Sequence, residues 1–304
     1  MELIMQFITI PANEALRPFI RNYWHLRSMA VAEGSQRIMS NGAASLHFYR
    51  GQPICFGDDE RTFTASLNVH GVGYIDLKTK RGAFEIVGAE FTPYGAHVFF
   101  NVPMSDCSGQ HLKPEDLSDK EFQELEERII ESSDTAACFQ LIDGFFLNRL
   151  MKTTVNMLNI KRLNGVSRLT EGTFIEEGSS LTPSLLAEEA CLSQKQFTRV
   201  FHEFVGINPK SYLRILRCHT AILALQRKAY NDNSNTETLT EIAWKSGYYD
   251  LSHMTADFIE INGSTPAEVL ATIRQRKSNP ILSQAFQPTF GQVLKKLIRI
   301  ENLI

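Results

Sequence analysis

The chain lacks any Cys-x-x-Cys pair, any long apolar run and any internal period of glycine or of apolar heptads. Each of these lacks excludes a class of protein. Five cysteines (Cys55, Cys107, Cys138, Cys191, Cys218) are odd in number and far apart, which argues against a disulfide framework and against a zinc knuckle. They read as packed or surface thiols, with a redox sensor as the alternative. No stretch reaches the ~18–20 apolar residues that span a bilayer. The opening Met1-Glu2-Leu3-Ile4-Met5 has no basic region and no small-residue cleavage site, so a cytosolic protein is expected. Collagen-like and coiled-coil architectures are excluded by the missing periods. A Gly-x-Ser-x-Gly elbow and a phosphate-cradling glycine loop are also missing, so no catalytic machinery and no cofactor are expected, and the chain reads as a non-enzyme.

What is present is ordinary in amount and uneven in placement. The 304 residues are 43% hydrophobic and 21% charged, which suits a folded protein of two domains. The net charge of −3 conceals a gradient. Residues 1–165 carry 16 Lys+Arg against 20 Asp+Glu, and residues 166–304 carry 15 against 14. Within the second part, 190–230 holds seven bases (Lys195, Arg199, Lys210, Arg214, Arg217, Arg227, Lys228) and the single acid Glu203, while 231–270 holds Lys245 and seven acids. A surface for a polyanion belongs in 190–230.

The first ~110 residues read as β-rich, with strands expected at Ala44–Tyr49, Pro53–Phe56, Phe63–Val69, Gly73–Leu77, Phe84–Phe91 and Ala96–Phe100. The glycine-containing breaks between them suit an antiparallel sandwich or barrel. Helices follow. Ser118 with Glu121 is placed for a capping box, and a second helix is expected from Asp134 to about Asn159. Residues 165–180 are rich in Gly, Ser and Glu and read as a linker. Everything after it reads as helix: a short one at 185–190 with Pro183 in its first turn, Gln194–Phe204 capped by Ser193, and a long one from Pro209 to about Lys228. After a polar break come 237–246, 251–260 and a last helix beyond Pro266.

This second part contains a repeat. Leu185-x-Ala187-x-x-Ala190-x-Leu192-Ser193-x-x-x-Phe197-x-Arg199-x-Phe201-x-x-x-x-Gly206-x-x-Pro209 is echoed by Leu239-x-x-Ile242-Ala243-x-x-x-Gly247-Tyr248-x-Asp250-x-Ser252-His253-Met254-x-x-x-Phe258-x-x-x-x-Gly263-x-x-Pro266. Each half is a short helix, a tight turn and a capped second helix, the pattern of a helix-turn-helix unit. Such a unit lays its second helix in the major groove, and two units on one rigid helix can address consecutive groove segments.

At residues ~168–276 these motifs resemble the DNA-binding domain of the AraC/XylS family of bacterial transcription regulators. The run from Ile242 to His253 is close to that family's second-unit signature, and Leu192-Ser193 with Phe197-x-Arg199-x-Phe201 matches the first unit. Phe19-Ile20-Arg21-Asn22-Tyr23-Trp24 and Gly88-Ala89-Glu90-Phe91-Thr92-Pro93-Tyr94-Gly95 resemble segments of the cupin-like sensory domains of some of these regulators. The resemblance implies an α+β chain of two domains: an N-terminal cupin-like antiparallel β-barrel with trailing helices (1–165) and an all-α domain with two helix-turn-helix units (166–279). A C-terminal extension (280–304) follows. It also implies ligand sensing, dimerisation or both in the first domain.

Residue by residue, Leu185, Ala187, Ala190, Leu192, Phe197, Val200 and Phe201 are expected in the core, with Trp244 and Tyr248. Gln194, Lys195, Gln196, Thr198, Arg199 and His202 are expected on the exposed face of the first reading helix. Lys195, Thr198 and Arg199 match the positions from which the family reaches base edges. Arg and Lys suit guanine O6/N7, and Thr suits a base edge or a thymine methyl. Lys210 is placed for phosphate; Arg214 and Arg217 read either as phosphate contacts or as partners of acids in the first domain. The second unit offers Ser252, His253 and Thr255, but it departs from the family pattern. Met254 stands where Phe is usual and Ala256 where Arg is usual, with Ile259 and Glu260 where a base is common. Asp257 and Glu260 are expected on its exposed side, where they would repel phosphates. Metal-binding cupins need a His-x-His pair; His47, His70, His97 and His111 instead read as separate histidines at different points of the barrel, and no metal is expected. The basic-apolar tail Val293–Ile300 reads as a docking helix, a dimer contact or a further phosphate contact.

The reading is therefore a cytosolic, sequence-specific DNA-binding transcription regulator. Its partners are double-stranded promoter DNA and, beyond that, RNA polymerase, a small-molecule effector and a second copy of the chain. The alternative is a cupin-fold enzyme or ligand-binding protein whose C-terminal domain no longer binds DNA. An oligomerising adaptor that contacts RNA polymerase without a ligand is a third reading.

Overall fold

The computed structural model describes residues 5–31, 34–52, 54–56, 61–173, 181–230 and 237–277. Its first part is built on a six-stranded antiparallel sheet. The strands are β1 (Met5–Ile10), β2 (Ile20–Val31), β4 (Ala44–Gly51), β6 (Ala65–Val69), β8 (Gly82–Phe91) and β9 (Gln110–Leu112), in the order β1-β2-β8-β4-β6-β9. A three-stranded sheet, β3 (Gly34–Met39), β7 (Tyr74–Thr79) and β5 (Ile54–Phe56), runs in the order β3-β7-β5. Both faces of the larger sheet are covered, and the period-2 alternation of side chains sorts them. Leu46 and Phe48 of β4, with Val87, Ala89 and Phe91 of β8, join the main core. Tyr49, Phe84, Ile86 and Trp24 form a second core with Phe56, Phe63 and Leu77. Gly88 lies under Trp24, whose ring is 2.7 Å from where a Cβ would stand; the ring can approach the strand this closely because that position has no side chain.

The segment Ala96–Phe100, expected as a strand, is instead the helix α1 (Gly95–Phe100). All six of its residues are buried, so it shows no amphipathic period and reads as an apolar run of either kind. A 3-10 turn at Met104–Cys107 follows. Helix α2 (Lys120–Glu131) is capped one residue later than expected. Asp119 accepts from the Phe122 N–H, while Ser118 takes a left-handed φ of 51°. The helix expected over 134–159 is two: α3 (Thr135–Lys152), capped by Asp134, and α4 (Met157–Thr173), separated at the extended Thr153. Residues 165–173, expected in a linker, are part of α4; the remainder of that segment, 174–180, lies outside the described residues.

Among the described residues six helices follow: α5 (Pro183–Glu189), α6 (Gln194–Val205), α7 (Pro209–Tyr230), α8 (Leu239–Lys245), α9 (Leu251–Asn262) and α10 (Pro266–Lys277). Helix α7 is buried along most of its length and carries both helix-turn-helix units. The main core runs without a break from the large sheet through α1–α4 into α5–α10. No described helix is long and apolar enough to cross a membrane. The tail from 280 to 304, with its expected docking helix, lies outside the described residues.

Candidate nucleic-acid interface

The first unit is fixed by its caps. Thr182 accepts from the Leu185 N–H, Pro183 opens α5, and the turn to α6 passes through Cys191 at φ 51°. The corresponding turn of the second unit uses Gly247 at φ 81°, the conformation that glycine adopts without steric cost. Ser193 caps α6 by a full capping box. The Gln196 N–H donates to Ser193 Oγ at 3.3 Å, and the Ser193 N–H donates to Gln196 Oε1 at 3.2 Å. Phe197, Val200, Phe201, Phe204 and Val205 then face inward. The opposite face presents Gln194, Lys195, Gln196, Thr198, Arg199 and His202 to solvent, as expected. Gln194, Lys195, Thr198, Arg199, His202 and Asn208 line one groove of about 720 Å³. Lys195 and Arg199 have no acidic partner among the described residues, whereas the Gln196 carboxamide is taken up by the cap. Lys210 is exposed at the start of α7. Two residues expected in the core stand further out: Leu185 is 45% exposed and Leu192 is half-buried.

In the second unit Thr238 and Glu241 form a capping box on α8, and Asp250 caps α9 by accepting from the His253 N–H at 2.7 Å. Ser252 and His253 are exposed; Thr255 is half-buried and donates to the Leu251 carbonyl. The acids expected to repel phosphate are arranged otherwise. Asp257 is only 3% exposed, a correction of its expected placement. Arg214 of α7 lies 2.9 Å from its Oδ1 through Nε and grips Glu260 through both terminal nitrogens, at 3.1 and 2.5 Å. Arg214 is therefore an internal strut between α7 and α9 and pairs with no acid of the first part among the described residues. The hydrogen bond from Arg214 holds the Glu260 carboxyl below its ordinary range. Arg217 is turned toward the Gly247 carbonyl and the Tyr248 ring. Tyr248 is buried as expected; Trp244 is not, at 58% exposure, its indole donating to the Tyr249 carbonyl.

The β-rich part contains a polar cluster that the sequence reading missed. His47, His70 and His111, expected at separate points, converge beside Asn68. His111 Nδ1 donates to Asn68 Oδ1 at 2.6 Å, Asn68 Nδ2 donates to His47 Nδ1 at 2.9 Å, and Ser66 donates to Asn68 Oδ1. His70 Nε2 lies 3.3 Å from Ser45 Oγ. Burial, with His70 and His111 nearby, pushes His47 down to about 3; burial pushes His70 down to about 4. His47 and His70 are thus neutral hydrogen-bonding groups near pH 7. The signal was in the strands: His47 with Tyr49 and Ser66 with Asn68 sit two apart, so each polar pair shares a face of its strand. His97 belongs elsewhere, packed on Phe204 of α6 at 4.1 Å between ring centres. Among the described residues no group of His, Cys, Asp and Glu could hold a metal ion. Next to the cluster, Phe56, Arg61, Tyr74, Asp76, His111 and Asp116 are among the residues lining a cavity of about 760 Å³, with Phe56 and His111 stacked at 3.9 Å.

Comparison with known proteins matches a helix-turn-helix domain family to residues 186–272 and a domain of unknown function, DUF6597, to residues 8–113. The XylDLEGF operon transcriptional activators 1 and 3 of Pseudomonas putida are 27% and 26% identical over 106 residues, 34% of this chain and 30% of each activator. The chain thus matches less than a third of the length of those relatives. Among solved structures, the DNA-binding domain of AdpA, determined with a target DNA, is 24% identical over 38% of this chain and 94% of that one, with a TM-score of 0.30. ToxT of Vibrio cholerae is 11% identical over 88% of this chain and 98% of that one, with a TM-score of 0.42.

Proposed function

From the premise that residues 186–272 are a helix-turn-helix domain of AraC/XylS type, we propose that the chain is a sequence-specific DNA-binding transcription regulator, acting in the cytosol on double-stranded promoter DNA. One observation carries the reading. The first unit presents Lys195, Thr198 and Arg199 on one open groove, and neither cation has an acidic partner among the described residues. Arg199 and Lys195 suit guanine edges, Thr198 suits a base or a thymine methyl, and Lys210 suits phosphate. Gln194 and His202 border the same groove, and Ser252, His253 and Thr255 give the second unit a weaker contact that includes no Lys or Arg. The alternative, a cupin-fold enzyme or ligand-binding protein whose C-terminal domain no longer binds DNA, would rest on the near-neutral charge of 166–304 and on the acids Asp257 and Glu260. Arg214 holds both acids, which removes the second of these supports.

The domain division at 165/166 and 279/280 belongs to the same proposal. So does a small-molecule effector, placed in the cavity beside His111 and Arg61, where an aromatic platform lies next to both acidic and basic groups. Exposed Met151, Met157 and Leu158 at the junction of α3 and α4 support association of two copies; contact with RNA polymerase completes the proposal.

The test is binding of the purified full chain to the DNA upstream of its own gene against a scrambled duplex, at 50 and 200 mM salt. A preference for the upstream duplex is expected, with affinity falling steeply with salt because each neutralised phosphate contributes a log–log slope of about −0.9. Equal, weak, salt-insensitive binding to both duplexes rejects the reading.

A further inference from the structure

The two units end their reading helices in the same way, and the β-rich part of the chain meets both ends. Gly206 closes α6 at φ 88° and Gly263 closes α9 at φ 76°; they hold the same place in the repeat. At Gly206 the carbonyl oxygen of Met104 lies 2.8 Å from where a Cβ would stand. At Gly263 the Tyr74 ring and the Arg37 guanidinium come within 2.5 and 2.6 Å of that point. Arg37 Nη1 donates to the Gly263 carbonyl at 2.8 Å, its Nε donates to Asp76 Oδ1 at 3.3 Å, and the guanidinium lies 4.1 Å from the centre of the Tyr74 ring. Arg37 is thus gripped on three sides, by a carboxylate, a ring face and the cap of a reading helix.

We propose that Arg37, Tyr74 and Asp76 are positioning residues for DNA recognition: with the Met104 turn they bracket the caps of both reading helices and fix the spacing at which the pair can read DNA. The proposal rests on the regulator reading above. The bracket sits at the C-terminal ends of α6 and α9, whereas Lys195, Ser252 and His253 occupy the first turns and Arg199 the second. The reading faces therefore stay open, and what the bracket constrains is direction. Helix α7 alone would be a single strut, about which each unit can rock. The second path, from the α6 cap through Met104 and the sheets to Arg37 and the α9 cap, closes a ring, and a ring resists that rocking. A closed ring cannot follow a change in spacing. One inserted base pair shifts the second groove segment by about 3.4 Å and turns it by about 35°, given 10–10.5 base pairs per 34–36 Å turn. Tyr74 and Asp76 also line the cavity assigned above to the effector, so this arm of the bracket is part of the cavity wall.

The experiment selects duplexes from a random pool with the full chain, then inserts one or two base pairs between the two protected segments of the best sequence. Wild type should lose tenfold or more with one inserted pair. Arg37→Ala and Asp76→Asn should each lose less than threefold, with unchanged thermal stability. The two variants alter net charge in opposite directions, so a common loss of spacing preference cannot come from charge. Hydrogen exchange gives a readout without DNA: residues 251–263 should exchange faster in both variants, and residues 194–205, held by Met104, should not. Variants that keep the full spacing penalty overturn the bracket, as does a wild type indifferent to the insertion. A wild-type chain that enriches no duplex rejects the regulator reading itself, and the bracket with it.

Discussion

At the scale of single residues, two exposed cations stand without a neutralising neighbour among the described residues. Lys195 and Arg199 project from a helix whose other face is fully buried, and nothing described neutralises them. Arg199→Ala should therefore cost about 1–3 kcal/mol of specific binding and relax the preference at one base position, with little change in stability. Lys210→Ala should weaken all duplexes alike and lower the salt slope by about one. A titration of each variant against the selected and the scrambled duplex separates the two patterns; an Arg199→Ala chain with unaltered affinity would show that α6 is not the reading helix. Ala256 is exposed on α9, one turn beyond Ser252. Ala256→Arg should strengthen binding by adding a cation to a face that has none, and the same titration measures it.

At the scale of elements, Arg214 shows why paired acids are read wrongly from sequence. Asp257 and Glu260 lie three apart on α9 and look like a repulsive stripe; Arg214 lies 43 residues before Asp257, and only the packing of α9 on α7 joins them. Since Asp257 is buried, Arg214→Ala leaves an uncompensated carboxylate, and about 3–5 kcal/mol should be lost. A urea unfolding curve gives the value, and a loss below about 1 kcal/mol would mean that Asp257 finds another partner. The same limit governs the rest of the comparison between sequence and structure. The helix-turn-helix repeat was legible because caps and core positions are local: Ser193, Gly206, Asp250 and Gly263 each act within one turn of their own helix. Helix α1 was not, because an element buried on every side has no period to betray it. Neither was the His47–Asn68–His111 cluster, which depends on the pairing of β4 with β6 and of β6 with β9. The bracket was half visible. Its glycines stood out in the repeat, but Arg37 and Tyr74 reach Gly263 across more than 180 residues of chain.

At the scale of the molecule, the seam between the β-rich part and α7 includes a group that titrates, and others lie within the β-rich part. His219 of α7 donates through Nε2 to the Ser40 carbonyl at 2.8 Å, and burial pushes its imidazole down to about 4. His47 and His70, at about 3 and about 4, are neutral for the same reason. Each of the three binds a proton more readily in the unfolded chain, whose histidines titrate near 6.5. Stability contributed by neutral imidazole is therefore complete above pH 6.5 and drains away as pH falls toward about 4. Glu90, buried near Arg21 and accepting from Asn41, works in the opposite sense. Its carboxyl is pushed up to about 7 against an ordinary 4.5, so acidification from 7 to 4.5 relieves a cost. Three groups lose where one gains, each by up to about 1.4 kcal/mol per pH unit. Between pH 6.5 and 4.5 the urea midpoint should consequently fall, by the equivalent of about two groups. His219→Gln keeps a donor for the Ser40 carbonyl and removes one titration, so its slope should be shallower than that of wild type by about one group. An unchanged slope would mean that His219 takes up its proton without leaving the seam. Because α7 is the strut that carries both reading helices, the measurement also bears on DNA binding. If acid opens this seam, the spacing preference should weaken over the same interval, and it should weaken less in the His219→Gln chain.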